Sequence, residues 1–162
     1  DMSTSGLMVL ALTKRAQKNL QQQFINRTIK KRYVALLEGK IEADSKKAFS
    51  TEQGDINLPL RGDLDDRPRQ LVCFEHGKQA KTQWQVIDSV DGKTKLYLYP
   101  ETGRTHQLRV HCAHREGLGM PILGDDLYGN KKAQRLHLHA QRLTLSHPVS
   151  KEIMIFEVEA DF

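Results

Sequence analysis

Three kinds of side chain in this sequence could combine into a catalytic site. They are Asp1 before a Thr-Ser-Gly turn, Tyr33 in RYVALLEG, and Arg104 and Arg109 in ETGRTHQLRVH. An aspartate beside a fixed arginine stays ionised in one orientation, and such a carboxylate can act as a nucleophile. A phenol offers a flat face for stacking and a hydroxyl for proton transfer. Taken singly, these residues fit a turn cap, a core side chain and surface charges, so the prediction depends on their meeting.

A group of histidines raises the question of a metal site. His106, His111 and His114 lie close together, with Cys112 beside them. Zinc needs three or four converging ligands, and neither a second cysteine pair nor an HExxH spacing is present. Histidines hydrogen-bonded within or beside the core are therefore favoured and no metal is predicted, with a zinc-dependent hydrolase kept as an alternative. The sequence also lacks phosphate-loop, dinucleotide and GxSxG motifs.

The first part of the chain predicts a strand, a helix and a second strand. Gly6–Leu12 is short and almost wholly apolar, which predicts a central strand covered on both faces. Thr13 is predicted to cap a helix over Lys14–Arg27, because apolar residues recur there every four positions. RYVALLEG predicts a strand that ends at Gly39, and the polar stretch Glu42–Asn57 predicts a loop or a small hairpin.

The remainder predicts a hairpin, a second helix and two further strands. LPLRGDLDDRPRQ is predicted to be an exposed connection, because it mixes proline, glycine and both charge signs. QAKTQWQVID and TKLYLYP alternate around Asp91-Gly92, which predicts an antiparallel hairpin. RTHQLRVHCAHREG predicts a helix up to Gly117, MPILGDDLYG an apolar loop, and HLHAQRLTLSHP and KEIMIFEVEADF the last strands. This order predicts one α+β domain over residues 1–162, with helices against a mixed, largely antiparallel sheet.

Composition narrows the class of partner. The formal charge of +5 and the pI of about 9.3 favour a polyanion such as RNA or DNA. Candidate phosphate contacts are Arg104, Lys14, Lys30, Lys31 and Arg32, and the last four fit a solvated basic face at least as well. The two widely spaced cysteines and the lack of a long apolar run predict a soluble, cytoplasmic protein, with a monomer as the default.

Beyond these residue arguments, the chain resembles the RluA family of pseudouridine synthases. DMSTSGLMVLALTK resembles the end of that family's HRLDxxTSGL motif, and KKRYVALLEG resembles the segment with its active-site tyrosine. ETGRTHQLRVH, PILGDDLYG and LHLHAQRLTLSHP together resemble its third conserved region. The resemblance runs from Asp1 to Phe162 in the family's order, and it implies the pseudouridine synthase core fold. It makes Asp1 the nucleophile, Tyr33 the active-site tyrosine and Arg109 the arginine that pairs with the aspartate.

The resemblance also implies a substrate and its contacts. Leu138 would pack against the target base, and Arg104, His106 and Gln107 would bind the substrate. RPRQLVCFEHGKQAKTQWQVID and the closing ADF are similar to the RluA subgroup, which modifies large-subunit ribosomal RNA and the anticodon stem-loop of certain tRNAs. The expected partner is therefore an RNA of one or both kinds.

The implied function is the isomerisation of specific uridines in these RNAs to pseudouridine. It involves no redox change and no outside nucleophile, so neither a cofactor nor a metal is expected. The family's His-Arg-Leu before the aspartate has no counterpart, so we expect a catalytic-domain fragment whose N-terminal part is missing. The alternative is an RNA-binding module without chemistry, for which substitution of Asp1 would make no difference.

Overall fold

The computed structural model describes residues 1–41 and 52–162. Its elements, in chain order, are β1 (Ser5–Gly6), α1 (Lys14–Ile25), β2 (Lys30–Leu36), β3 (Gln53–Asn57), β4 (Leu60–Gly62), β5 (Gln70–Val72), β6 (Lys81–Val90), β7 (Lys93–Pro100), α2 (Gln107–Ala113), β8 (Leu138–Ser146) and β9 (Ile153–Glu157). The loop or hairpin predicted over residues 42–57 lies outside the described residues up to residue 51, and its last part is strand β3.

Seven of the strands form one sheet in the order β1-β8-β2-β7-β6-β3, with β9 also paired to β8. Only the β1–β8 pair is parallel, and the other pairs are antiparallel. The predicted α+β class, with a mixed and largely antiparallel sheet, is therefore confirmed. Strand β8 borders β2 on one edge and both β1 and β9 on the other.

The prediction of a central strand over Gly6–Leu12 is wrong. Strand β1 holds only two residues and lies at the sheet edge, and Met8, Leu10 and Leu12 are exposed. Gly6 has a φ of +100°, outside the β region, so the strand cannot continue past it. Further along β8, the edge that a longer β1 would use is already paired with β9. The apolar run was therefore a poor guide to burial.

Gly6 supplies the first mutational prediction, because its backbone and its surroundings both require glycine. A Cβ at this position would lie 2.3 Å from the carbonyl oxygen of Ala140 in β8. We expect Gly6→Ala to lower the free energy of unfolding by at least the ~1–3 kcal/mol that positive-φ strain costs a non-glycine residue.

Gly92 provides the matched control in urea denaturation. It also has a positive φ, of +74°, but no heavy atom of the described chain lies within 4 Å of its added Cβ. Gly92→Ala should therefore show the backbone cost alone and unfold less easily than Gly6→Ala. An equal loss of unfolding free energy in the two variants would contradict the close approach of β1 to β8.

The predicted β6–β7 hairpin and the first helix are confirmed. Asp91 and Gly92 both have positive φ, as a type I′ turn requires, and alternate residues of β7 are buried. Helix α1 begins after Thr13, whose hydroxyl accepts a hydrogen bond from the backbone N–H of Ala16. Its Leu20 packs with Ile29 and Leu145, which holds the helix against the end of β8.

The second helix and the segment before β6 differ from the predictions. Helix α2 begins at Gln107 and ends at Ala113, because the next residue, His114, adopts an extended conformation. The turn after it brings the N–H of Leu118 back to the carbonyl of His111. The connection predicted from LPLRGDLDDRPRQ instead contains β4 and the first residue of β5, and these two strands form a separate two-stranded sheet.

The main core lies between one face of the large sheet and α2. Helix α2 contributes Leu108 and Cys112, and the sheet contributes mainly buried aliphatic side chains together with Trp84. Most of this short helix is buried, including the polar residues Gln107, Arg109 and His111. Burial of these three requires hydrogen-bonding partners inside the protein. Across the described ranges, no helix has the length and apolar character needed to cross a bilayer.

Candidate active site

The predicted site residues surround one cavity of about 470 Å³. Its walls come from residues 1–8, the first half of β2, the loop after β7, the start of α2 and the start of β8. All seven predicted residues line it, namely Asp1, Tyr33, Arg104, His106, Gln107, Arg109 and Leu138. The cavity therefore brings together residues that are far apart in the sequence, from Asp1 to Ala140.

Arg109 is the most constrained charged group of the site. Its side chain is only 2 % exposed. Nε and Nη2 donate to the two carboxylate oxygens of Asp125, at 2.9 and 2.6 Å, and Nη2 also donates to Asp126 at 2.7 Å. Nη1 faces Asp1, at 3.4 and 3.3 Å from its two oxygens. Arg109 thus contacts Asp1 as the resemblance implied, but its two-nitrogen fork binds Asp125.

This arrangement explains how a guanidinium can be buried here. Burial by itself lowers the pKa of Arg109, and the hydrogen bonds and charge of Asp125, followed by those of Asp126, more than offset that effect. The pKa is consequently raised, and Arg109 carries its positive charge at any ordinary pH. Asp125 also accepts hydrogen bonds from the backbone N–H groups of Leu127 and Tyr128, so the pair is fixed to its loop.

Asp1 is held by its own turn as well as by Arg109. One carboxylate oxygen accepts the backbone N–H of Ser3 at 3.1 Å, and the Asp1 carbonyl accepts the N–H of Thr4 at 3.3 Å. Its side chain is 18 % exposed, on the wall of the cavity. The carboxylate is therefore oriented by a backbone donor and a cation, while part of its surface stays open to a ligand.

Tyr33 and Leu138 reach the cavity from adjacent strands. Tyr33 of β2 pairs with Ala140 of β8, and Ala35 pairs with Leu138, so the two side chains are neighbours on the sheet. Leu138 belongs to the main core and Tyr33 packs against that core. Burial raises the pKa of the Tyr33 phenol, which keeps the hydroxyl protonated near neutral pH. Together they contribute an aromatic ring and an aliphatic side chain to the cavity wall.

His106 links the cavity to the small β4–β5 sheet through Tyr128. Its Nδ1 lies 2.9 Å from the Tyr128 hydroxyl, which also accepts the backbone N–H of Gln70 at 2.8 Å. Burial and then the charge of Arg109 lower the pKa of His106, which disfavours the protonated ring. Since the Tyr128 oxygen already accepts one hydrogen bond, its own hydrogen can go to Nδ1, leaving Nε2 as the donor.

Gln107 and Arg104 differ in how much of their side chain is already in use. The Gln107 oxygen accepts from the Thr102 hydroxyl and the Arg104 backbone N–H, and its nitrogen donates to Lys81 and Thr82. These four bonds use the whole capacity of an amide. Arg104 is exposed, and its Nε donates to the carbonyl of Gln79. Of the two, only Arg104 has donors to spare for a ligand.

The histidines of the metal hypothesis do not converge. His111 is buried in α2, where its two ring nitrogens contact the Thr82 hydroxyl and the Leu58 carbonyl, and burial lowers its pKa to about 4. His114 accepts the N–H of Glu116 with its ring, and His106 contacts Tyr128. Among residues 1–41 and 52–162, no three His, Cys, Asp or Glu side chains are placed to hold a metal ion.

The site also contains Asp125, Asp126 and Tyr128, which sequence reasoning missed. They lie in PILGDDLYG, which is predicted from its composition to be an apolar loop. The available signal was the pair of carboxylates and the phenol within an otherwise apolar segment, because a charged group in such a segment needs an internal partner. The structure supplies that partner as Arg109.

Comparison with known proteins identifies the family. The family model described as RNA pseudouridylate synthase matches residues 1–114. The chain is 46% identical to the "Dual-specificity RNA pseudouridine synthase RluA" of Haemophilus ducreyi, over 100% of the chain and 72% of that protein. It is 44% identical to the protein of the same name in Escherichia coli strain K12, over 100% of the chain and 71% of that protein.

Solved structures agree with these sequence matches. "Human RNA Pseudouridylate Synthase Domain Containing 1" superposes with a TM-score of 0.80 and 31% identity, over 100% of this chain and 67% of the human chain. "Human RNA Pseudouridylate Synthase Domain Containing 4" does so with a TM-score of 0.73 and 26% identity, over 96% and 67%. With a cavity in which an aspartate, a buried arginine and a tyrosine meet, the chain belongs to the RluA family of RNA pseudouridine synthases, which are isomerases.

Proposed function

We propose that this synthase isomerises uridines in stem-loops of large-subunit ribosomal RNA, of tRNA, or of both, with Asp1, Tyr33 and Arg109 as its catalytic residues. The observation that carries the proposal is the meeting of these three groups at one cavity. The identity to relatives named as dual-specificity RNA pseudouridine synthases supports the choice of substrate. A cytoplasmic location, where both RNAs are found, and a monomeric state belong to the same proposal.

The reaction sets clear demands on the site. The bond between N1 of uracil and C1′ of ribose breaks, and a bond between C5 and C1′ forms. The proton on C5 is lost and N1 gains one, so the atoms balance and no electrons are exchanged with another molecule. The protein must therefore supply a reactive carboxylate, a route for one proton and a surface on which the free base can turn.

Asp1 is proposed as the group that reacts with the substrate. Arg109 contacts both Asp1 oxygens through Nη1, and that contact favours the ionised carboxylate. Asp125 acts through Arg109, because it fixes the guanidinium from the other side. We assign Asp125 the role of a positioning residue.

The other cavity residues are proposed to hold and move the base. Leu138 and the ring of Tyr33 would pack against the faces of the uracil. The Tyr33 hydroxyl would accept the C5 proton while its own proton leaves to solvent water, and water would supply the proton that N1 gains. Arg104 and His106 would donate to the RNA. Gln107 would keep the loop at Arg104 in place, since its amide is fully bonded to the protein.

The target uridine must leave its stack before Asp1 can reach it. Extrusion costs a few kcal/mol, least in a loop, which favours loop uridines as substrates. The test uses stem-loops carrying tritium at C5 of uridine. Release of tritium to water, together with pseudouridine in the digested RNA, is the expected result. Retention of all tritium by both the ribosomal and the tRNA stem-loops would overturn the proposed substrate.

Tyr33→Phe tests the proposed proton route. It keeps the ring against the core and removes only the hydroxyl, so we expect kcat to fall about 10²- to 10⁴-fold, the usual contribution of a general acid or base. KM should change little, because the packing surface remains. Tyr33→Leu, which removes the ring too, should impair both kcat and KM. Full activity of Tyr33→Phe in the tritium-release assay would reduce Tyr33 to a packing role.

A further inference from the structure

Lys31 lies where the active-site cavity meets a second concavity. It lines the cavity around Asp1 and also a groove of about 320 Å³ beside it, and Pro100 is likewise shared by both. Lys31 precedes Tyr33 by two positions in β2, and both residues line the cavity. A ligand that fills the cavity and continues into the groove must therefore pass the Lys31 ammonium.

The surroundings of Lys31 leave its charge without compensation. Its Nζ donates to the carbonyl of Thr102 at 3.4 Å, a long hydrogen bond. Within residues 1–41 and 52–162, no carboxylate lies within ion-pair distance of it. Burial lowers the pKa of this amine, so an anion at the same place would stabilise its charged form. The neighbouring Arg32, in contrast, is paired with Glu157.

The groove beyond Lys31 is positively charged. Its lining includes the exposed cations Arg27 and Lys30 in addition to Lys31. Its only carboxylate, among the residues that the structure describes, is Glu101, and this group is paired with Lys81 at 3.0 Å. Tyr99 and Gln83 also line the groove. Such a lining suits the negatively charged phosphodiester backbone of a nucleic acid.

We propose that this groove, lined by Arg27, Lys30 and Lys31, binds the RNA strand on one side of the target uridine. Lys31 contacts the phosphate that joins the target to its neighbour, and Arg27 and Lys30 contact the next phosphates along the strand. The inference rests on the proposed function, because it takes the target uridine to occupy the cavity at Asp1. It also fixes the orientation of the RNA strand on the protein, since the groove binds one flank of the target uridine and not the other.

Equilibrium binding tests the groove independently of turnover. Labelled RNA loops are titrated by fluorescence anisotropy with Lys31→Met, Lys30→Gln and Arg27→Gln, each in an Asp1→Asn background that leaves the RNA unconverted. Lys31→Met should weaken binding about 10- to 100-fold, as expected for a lost hydrogen bond to a charged group. Lys30→Gln and Arg27→Gln should each weaken it several-fold and lower the salt dependence by about 0.7 in log–log slope.

Lys93→Gln is the matched control for charge. Lys93 begins β7 and Pro100 ends it, so the two lie about 23 Å apart at ~3.3 Å per residue. Removing the same charge there should leave affinity and salt slope nearly unchanged. Circular dichroism and urea midpoints for all four variants, the control included, establish that each is folded.

Truncated RNAs test the direction of the strand. With the target uridine at one end of the oligonucleotide, the flank that fills the groove is missing, and Lys30→Gln and Arg27→Gln should then have no effect. With the target at the opposite end, their effect should persist in full. The proposed RNA-binding groove would be ruled out if the groove variants lost no more affinity than Lys93→Gln. It would also be ruled out if their loss of affinity persisted with both truncated RNAs.

The two proposals fail in different ways. If the wild-type protein releases no tritium while the groove variants still bind RNA more weakly than the wild type, the proposed role of the groove is supported and the proposed reaction on these RNAs is ruled out. If the wild type releases tritium while the groove variants bind RNA as tightly as Lys93→Gln does, the proposed reaction is supported and the proposed role of the groove is ruled out.

Discussion

Asp1→Asn is expected to abolish pseudouridine formation while leaving RNA affinity within a few-fold of the wild type. The substitution keeps the size of the side chain and removes the negative charge that we propose reacts with the substrate. Loss of a nucleophile that acts with its partners as a unit costs about 10⁴-fold or more in kcat. Because the substitution leaves the other cavity-lining residues unchanged, their contacts to RNA should survive. Tritium release and anisotropy, measured on the same stem-loop, check the two parts separately.

Asp126→Asn is the matched control for Asp1→Asn. Asp126 contacts Arg109 as Asp1 does, but through Nη2, at 2.7 Å. Its side chain is 74 % exposed, and it does not line the cavity. Its loss should leave kcat nearly unchanged. A parallel loss of activity in both variants would mean that Asp1 acts only by neutralising Arg109. Retained turnover in Asp1→Asn would rule out a reactive carboxylate at this position.

Asp125→Asn is expected to have the largest effect on stability. The Asp125 side chain is fully buried and takes two hydrogen bonds from Arg109, whose own side chain is 2 % exposed. The substitution leaves the buried guanidinium with the exposed Asp126 and the more distant Asp1 as counter-charges, and breaking a buried ion pair costs about 3–5 kcal/mol. The free energy of unfolding from urea denaturation should fall by that amount. Residual folded protein should also turn over more slowly, since Arg109 then no longer holds Asp1 in place.

Asp126→Asn again serves as the comparison, because it removes a carboxylate from the same guanidinium at an exposed position. Its effect on the urea midpoint should be much smaller. A kinetic comparison at temperatures where Asp125→Asn is fully folded separates positioning from unfolding. If Asp125→Asn were as stable as Asp126→Asn, the buried pair would not be what fixes Arg109.

Elements defined by neighbouring residues were predicted well. The β6–β7 hairpin followed from alternation around Asp91 and Gly92, whose positive φ values are required within the turn itself. Helix α1 followed from Thr13, which caps the N–H of Ala16 three residues away. In both cases the interactions that define the element lie within a few residues, so the pattern was present in the local sequence.

The prediction was poor where the extent of an element depends on partners distant in the sequence. The length of β1 depends on Gly6, which ends the strand at a φ of +100°, and on β9, which takes the remaining edge of β8. Composition could not decide the length of β1, because β9, which competes for that edge of β8, lies elsewhere in the chain. The β4–β5 pair is local, but it was missed because its segment is rich in turn residues.

The sequence by itself determined which chemical groups this synthase has: a carboxylate in DMSTSGL, a phenol in KKRYVALLEG and a guanidinium in GRTHQLRVH. Only the tertiary structure decided how they are held. It gives the fork of Arg109 to Asp125, leaves Nη1 for Asp1, and sets Lys31 between the cavity and a cationic groove. The physical reason is that a buried charge must find its counter-charge in space, and the chain separation between the two carries no information about that choice.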